Sequence, residues 1–207
     1  LEQRQMSVLS AYPFYRQVLL DDQIRELVQD QRLPANRVGG LMNELEADPA
    51  FAKLPLLSQV SMAEMETYMQ HVLLRDTDQM SMAHALEVRV PFLDHELIEL
   101  VTRIPDRIKY PHTPKQLLVE SLHDLLPGEI VNRPKMGFTL PFAHWMTYEL
   151  REFCGERLQR LAGRRYFNEG AVNAYWNKFL EGKQTVSWSR LWTLVVLEHW
   201  LDKNGVV

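Results

Sequence analysis

The chain has 207 residues, 46% of them hydrophobic and 24% charged, and a net charge of −4. That is ordinary globular composition, long enough to bury roughly 70% of the unfolded surface in a core. It offers no basic stripe for nucleic acid and no apolar run near the roughly 20 residues a bilayer span needs, and the lone Cys154 excludes an internal disulfide or a thiolate metal cluster.

A single cysteine fits reduced, cytoplasmic surroundings. The first residues, LEQRQMSVLS, lack the layout of a signal peptide. A start on Leu is expected of a fragment or a processed product. Length favours one large domain over two small ones.

In chain order, Gly39-Gly40 and the segment from Pro49 to Pro55 are expected loops. Ser61 heads S-M-A-E, a capping box in which Glu64 would reach back. Met62, Met65, Met69 and Val72 follow at helical spacing, with Tyr68 and Leu73 widening the stripe. A helix over residues 78 to 86 would put Asp78 and Ser81 on one face and turn Met80, Ala83 and Leu86 to the core. Glu87 to Leu93 is the one extended-looking run, and Pro91 argues against a central strand there.

Asp94 can cap a helix carrying Leu97, Ile98, Val101 and Ile104, which stops before Pro105. Thr113-Pro114-Lys115-Gln116 is a second capping box, its helix presenting Leu117, Leu118, Leu122 and Leu125 until Pro127-Gly128. Asn132 to Pro141, NRPKMGFTLP, reads as irregular. Asn168 can cap a helix with Val172, Tyr175, Trp176 and Phe179 on one face. Ser187 can start a last helix that is apolar on most sides (Trp188, Leu191, Trp192, Val195, Leu197, Trp200, Leu201) and should be deeply packed. The fold class is mainly α.

Two segments could carry chemistry. Leu73 to Asp94, LLRDTDQMSMAHALEVRVPFLD, sets Asp76, Asp78, Glu87, Arg89 and Asp94 among apolar residues. Such interleaving suggests a lined cleft more than a solvated face. In an extended run Glu87 and Arg89 point the same way. Arg89 could then hold one oxygen of Glu87 while the other faces a ligand, an arrangement suited to a general base or to holding an amine or ammonium nucleophile. The competing reading is a structural ion-pair network pinning a helix–turn–helix join.

The second segment is Arg133-Pro134-Lys135-Met136-Gly137-Phe138, two cations beside a glycine that lets backbone approach a ligand. Lys135 would suit phosphate or pyrophosphate oxygens. The competing reading is a solvated turn anchored by Phe138, Phe142 and Trp145. Elsewhere the seven histidines show no zinc-binding spacing, and no phosphate-loop glycine pattern occurs. Cys154, with no His or Asn nearby, reads as inert. The methionine stripe from Met62 to Met69 reads as core, with a partner-binding face as the alternative.

Taken together these segments resemble the C-terminal part of the synthetase domain of glutamine-dependent asparagine synthetases and their asparagine-synthase-like relatives. The resemblance runs from about Tyr68 to Trp145, with its pieces in the family's order. They are LLRDTDQMSMAHALEVRVPFLDHELIEL, then IPDRIKY, then PKQLLVESL, then LLPGEIVNRPKMGFTLPFAHW. SMAHALEVRVPFLD followed downstream by RPKMGFTLP is the specific combination.

The resemblance implies that residues 1–207 are the helical C-terminal portion of an adenine nucleotide α-hydrolase-like (ATP pyrophosphatase) synthetase domain, with a motif-bearing core at about 61–145. It also implies a ligase that activates a carboxylate, expected to be aspartate, as an acyl-adenylate. Ammonia from glutamine then attacks to give the amide, leaving AMP and pyrophosphate. ATP and Mg2+ are implied on the same ground. Lys135 matches the family's loop lysine near the ATP phosphates. Glu87 matches the family's glutamate near the activated carboxyl and the nucleophile. Asp78, Arg89 and Asp94 match the charged shell around the substrate, with Ser81 in its structural support.

The departures matter equally. The family's N-terminal glutaminase cysteine and its S-G-G-x-D-S nucleotide loop are absent from this sequence. The parallel sheet is expected to be absent too. The fragment alone is therefore expected to be inactive, and to expose an apolar patch where the sheet would pack. A relative that amidates another carboxylate, on a sugar or a secondary metabolite, remains open. So does a non-catalytic helical interaction module.

Overall fold

The computed structural model describes residues 8–29, 35–110, 112, 115–134, 136–137, 140–183 and 185–206. The chain forms α1 (Val8–Arg16), α2 (Asp21–Leu27), α3 (Arg37–Ala47), α4 (Pro49–Ala52), α5 (Leu56–Glu64), a π-helical segment (Met65–Leu74) and α6 (Arg75–Met82). After these come α7 (His95–Arg103), α8 (Asp106–Lys109), α9 (Gln116–Ser121), α10 (Gly128–Val131), α11 (Phe142–Thr147), α12 (Arg151–Ala162), α13 (Glu169–Leu180) and α14 (Trp188–Lys203). The fold is mainly α, as expected. Among the described residues there is no strand, only an isolated antiparallel bridge between Val28 and Phe167. None of the described helices is long and apolar enough to cross a membrane.

The residues divide into two compact units: Leu1–Arg16 with Asn36–Met136, and Gln17–Ala35 with Gly137–Val207. The first unit packs α1, α3 and α5 around Leu9, Tyr12, Met42, Phe51 and Ala63, with Leu41, Leu45, Leu54 and Met62 against them. Gly39-Gly40 lies inside α3, not in a loop. The Asn36 side chain accepts from the Gly39 amide at 3.0 Å and starts the helix ahead of the glycines. The expected loop from Pro49 likewise opens with α4: Pro49 takes the first helical turn and Asp48 accepts from the Ala50 amide at 2.8 Å.

α5, the π segment and α6 run without a break from Leu56 to Met82. The helix does not begin at Ser61. Asp106, from α8, reaches the earlier turn and accepts from the Leu57 amide at 3.0 Å, the Ser58 amide at 3.3 Å and the Ser58 hydroxyl at 2.6 Å. Ser61 is therefore interior, and its hydroxyl donates to the Leu57 carbonyl at 2.9 Å. Glu64 does not reach back but binds Arg16. The π segment replaces i→i+4 bonding with i→i+5 and shifts the phase of the faces. Thr67 becomes the segment's buried residue, while Met65 and Met69 are half-buried and Val72 and Leu73 exposed. The Thr67 hydroxyl donates to the Ala63 carbonyl at 2.6 Å and sits 2.6 Å from the Tyr12 hydroxyl.

Asp94 caps α7 as expected, accepting from the amides of Glu96 at 3.0 Å and Leu97 at 3.3 Å. The helix stops at Arg103, before Pro105. Of the second capping box, Thr113 and Pro114 lie outside the described residues. α9 begins after Lys115, a left-handed residue, and ends at Ser121, so Leu125 stands exposed in a following 3-10 turn.

The second unit packs α12, α13 and α14 with α2 and α11 around Leu27, Met146, Leu158, Leu161, Val172, Leu191 and Val195. Asn168 caps α13, whose Val172 and Tyr175 are buried with Trp176 and Phe179 against the same core. α14 is less deeply packed than its composition suggests. Leu191, Leu194 and Val195 are buried, but Val196 and Trp200 are exposed, because neighbours cover one face only. Glu198 on that face is 1% exposed, and Arg164 matches it with Nε–Oε2 at 2.5 Å and Nη2–Oε1 at 3.1 Å.

Burial raises the Asp106 carboxyl, but the Ser58 hydroxyl, the Lys109 ammonium and the backbone amides of Ser58 and Leu57 outweigh it and hold the group below its ordinary value. A depressed carboxylate contributes stability above its unfolded value of about 4, and that contribution is lost as pH falls through the lower folded value. Asp106→Ala should therefore cost about 2 kcal/mol at neutral pH, read as roughly thirtyfold faster amide exchange at Leu57 and Ser58. Unchanged exchange at those amides would contradict the capping role.

Candidate functional site

α6 ends at Met82, and the chain turns through Ala85 at φ 56 before running irregularly from Leu86 to Val90. A left-handed backbone costs a non-glycine residue roughly 1–2 kcal/mol. Past the turn, Arg89 Nη2 meets Glu87 Oε1 at 2.7 Å. The two-residue spacing thus gives the expected pair. A 3-10 turn over Pro91–Leu93 leads to the Asp94 cap. Ser81 donates from its hydroxyl to the Asp78 carbonyl at 3.1 Å, so these two also share a face.

The lined cleft is corrected by the geometry. Glu87 and Arg89 side chains are 71% and 83% exposed. Asp78 and Asp94 are exposed too, and Met80 (71%) and Leu86 (61%) do not face the core. The core of this unit lies on the α1, α3 and α5 side, and α6 carries no buried residue. Met80, Met82, Leu86, Val88, Val90 and Phe92 are exposed on the segment that bears the charges. An exposed pair of this kind adds about 0–1 kcal/mol to stability, so it orients side chains more than it holds the fold.

Lys135 and Phe138 lie outside the described residues. Around them, Asn132–Pro141 has no regular structure where it is described, and Met136 is exposed. The other two expected anchors are firmly held in the second unit. Phe142 stacks on Trp188 at 4.9 Å and 8° and meets Trp145 edge-on at 5.5 Å. Cys154 is buried in α12, and loss of hydration pushes its thiol up to about 11, so thiolate is scarce at neutral pH.

Among the described residues no three His, Cys, Asp or Glu side chains come together as a cation site. Sequence reasoning missed one concave site in the first unit, an open cavity of about 530 Å3 lined by Ala11, Tyr12, Tyr15, Arg16, Val60 and Glu64. Arg16 bonds Glu64 through Nε at 2.7 Å and Nη2 at 2.5 Å and lies 4.3 Å over the Tyr68 ring. The partners are 48 residues apart, so no local pattern announces them. Both charges of this cavity are spent on each other.

The sequence pattern of the Asparagine synthase family matches residues 3–202. The chain is 29% identical over 149 residues to asparagine synthetase [glutamine-hydrolyzing] 1 of Bacillus subtilis, covering 72% of this chain and 23% of that protein. It is 31% identical over 136 residues to a putative asparagine synthetase [glutamine-hydrolyzing] of Mycobacterium tuberculosis, covering 65% and 21%. It is 32% identical over 88 residues to amidase chry2 of Gibberella zeae, covering 39% and 13%. The chain thus spans about a quarter or less of the length of these relatives. No solved structure matches it significantly.

The exposure of Glu87 separates the two readings of the charged segment. Glu87→Gln should leave unfolding free energy within about 0.5 kcal/mol of the parent sequence in denaturant titration. A loss of more than about 2 kcal/mol would return Glu87 and Arg89 to a structural network.

Proposed function

The chain belongs to the asparagine synthase family, and from that membership we propose that it is the helical C-terminal part of an ATP-dependent amidotransferase's synthetase domain. In this reading the intact parent, with an adenine nucleotide α-hydrolase-like sheet, activates a carboxylate, aspartate in the first instance, as an acyl-adenylate. Pyrophosphate leaves. Ammonia derived from glutamine attacks the acyl carbon, the bond to AMP breaks, and one proton leaves the nitrogen. The nucleotide loop and the glutaminase are the partners the chain requires.

The observation that carries the proposal is the Glu87–Arg89 pair, ordered at 2.7 Å yet exposed amid apolar side chains. A pair that the unit does not bury is available to a substrate. Arg89 holds one oxygen of Glu87, and the other is left to hold the incoming nitrogen and to take its proton. Lys135 supplies a point charge for the phosphates of ATP and the departing pyrophosphate. Asp94 fixes the turn after Pro91–Leu93, and Asp78 supports the adjoining face. A second reading keeps the same chemistry with a carboxylate other than aspartate, since the Glu87–Arg89 pair would act on the nitrogen whatever side chain the carboxylate carries.

In the intact parent, Lys135→Ala should abolish ATP–pyrophosphate exchange while the fold persists. Glu87→Gln should slow amide formation by on the order of a hundredfold while exchange continues. Normal exchange in the first variant removes the role given to Lys135. Equal loss of both steps in the second removes the role given to Glu87.

A further inference from the structure

We infer that Ala85 is a positioning residue: its left-handed backbone takes the chain off α6 so that Glu87 and Arg89 can pair and present one carboxylate oxygen to the incoming nitrogen. This rests on the role proposed for Glu87.

The turn has the two hydrogen bonds of a Schellman motif. The Ala85 amide donates to the Met82 carbonyl at 3.0 Å, and the Leu86 amide donates to the Ser81 carbonyl at 2.9 Å. This pattern requires a positive φ at the residue that ends it, and Ala85 has φ 56. Glycine adopts that conformation freely and alanine does not. Ala85 is exposed, as are His84 and Leu86, so the core gains nothing from the turn. Of the three non-glycine residues with positive φ among those described, Ala85, Lys115 and His123, Ala85 is the one that leads directly into the Glu87–Arg89 pair.

What the turn gains is the geometry of the pair. Residues two apart on a helix do not face each other. Two apart on extended chain, they do. The sequence around this point, MSMAHALEV, contains neither Gly nor Pro, and Met, Ala and Leu are strong helix formers. Were α6 to continue through residues 85–89, Glu87 and Arg89 would be carried to opposite sides and the 2.7 Å contact could not form. The stop at Ala85 thus converts a spacing that a helix would waste into a clamp on one carboxylate.

Amide formation and ATP–pyrophosphate exchange, measured side by side in the intact parent, test the inference. Ala85→Val, whose branched side chain resists positive φ, should slow amide formation by on the order of a hundredfold and leave exchange within about twofold. Ala85→Gly and Ala85→Asn, which tolerate the left-handed region, should keep both rates within about twofold of the parent. If Ala85→Val does not fold, Ala85→Leu carries the same comparison. The inference is overturned if the hindered variant leaves both rates unchanged while Glu87→Gln slows amide formation. It is equally overturned if exchange and amide formation fall together, or if Gly and Asn fail as Val does. Should Glu87→Gln itself leave amide formation unchanged, the reading beneath fails and the inference with it.

Discussion

The first unit is closed by one carboxylate. Asp106 caps the start of α5 from 48 residues further along the chain, through two backbone amides and the Ser58 hydroxyl. Lys109 completes the cluster, donating to Ser58 Oγ at 2.8 Å and lying 3.3 Å from the carboxylate, with only 10% of its side chain exposed. Each bond adds about 0.5–1.5 kcal/mol. Their position matters more than their sum. Everything between Ser58 and Asp106 is a loop held at both ends, and Asp78, Glu87, Arg89 and Asp94 all lie within it.

Inside that loop the forces divide by location. The half nearest the clamp is packed: Ala63 and Thr67 are buried, and Tyr12 and Arg16 bond across to Thr67 and Glu64. The far half, from Arg75 to Asp94, keeps its shape through backbone turns and caps with no buried side chain. Apolar groups left out there are a cost to an isolated unit and a gain to whatever covers them. In the second unit two arginines are used to hold carboxylates of α14, Arg164 on Glu198 and Arg157 on Asp202 at 2.7 Å.

Local signals were legible in the sequence where the partner was local. Asp94 and Asn168 cap the helices they precede, and the Glu87–Arg89 pair follows from a two-residue spacing. Asn36 and Asp48 act as caps in the same way, but the glycine pair and the prolines beside them outweigh the cap signal when composition is read first. Where the partner is remote, local patterns mislead. The box at Ser61 is sound as a motif, yet Asp106 starts the helix upstream of it. Across the π segment Thr67 takes the buried position and Met65 and Met69 are only half-buried, which no period near 3.6 can foretell. Ala85 is the hardest case, because alanine is the best helix former and nothing in its chemistry announces a left-handed stop.

The central claim is that the segment following α6 forms one wall of a ligase site completed by the rest of the parent chain. Hydrogen exchange on the intact parent, with and without ATP, Mg2+ and the carboxylate substrate, addresses it directly. The account predicts slower exchange on ligand addition at the amides between Leu86 and Asp94. Unchanged exchange across that segment, with protection confined to other parts of the parent, would contradict it.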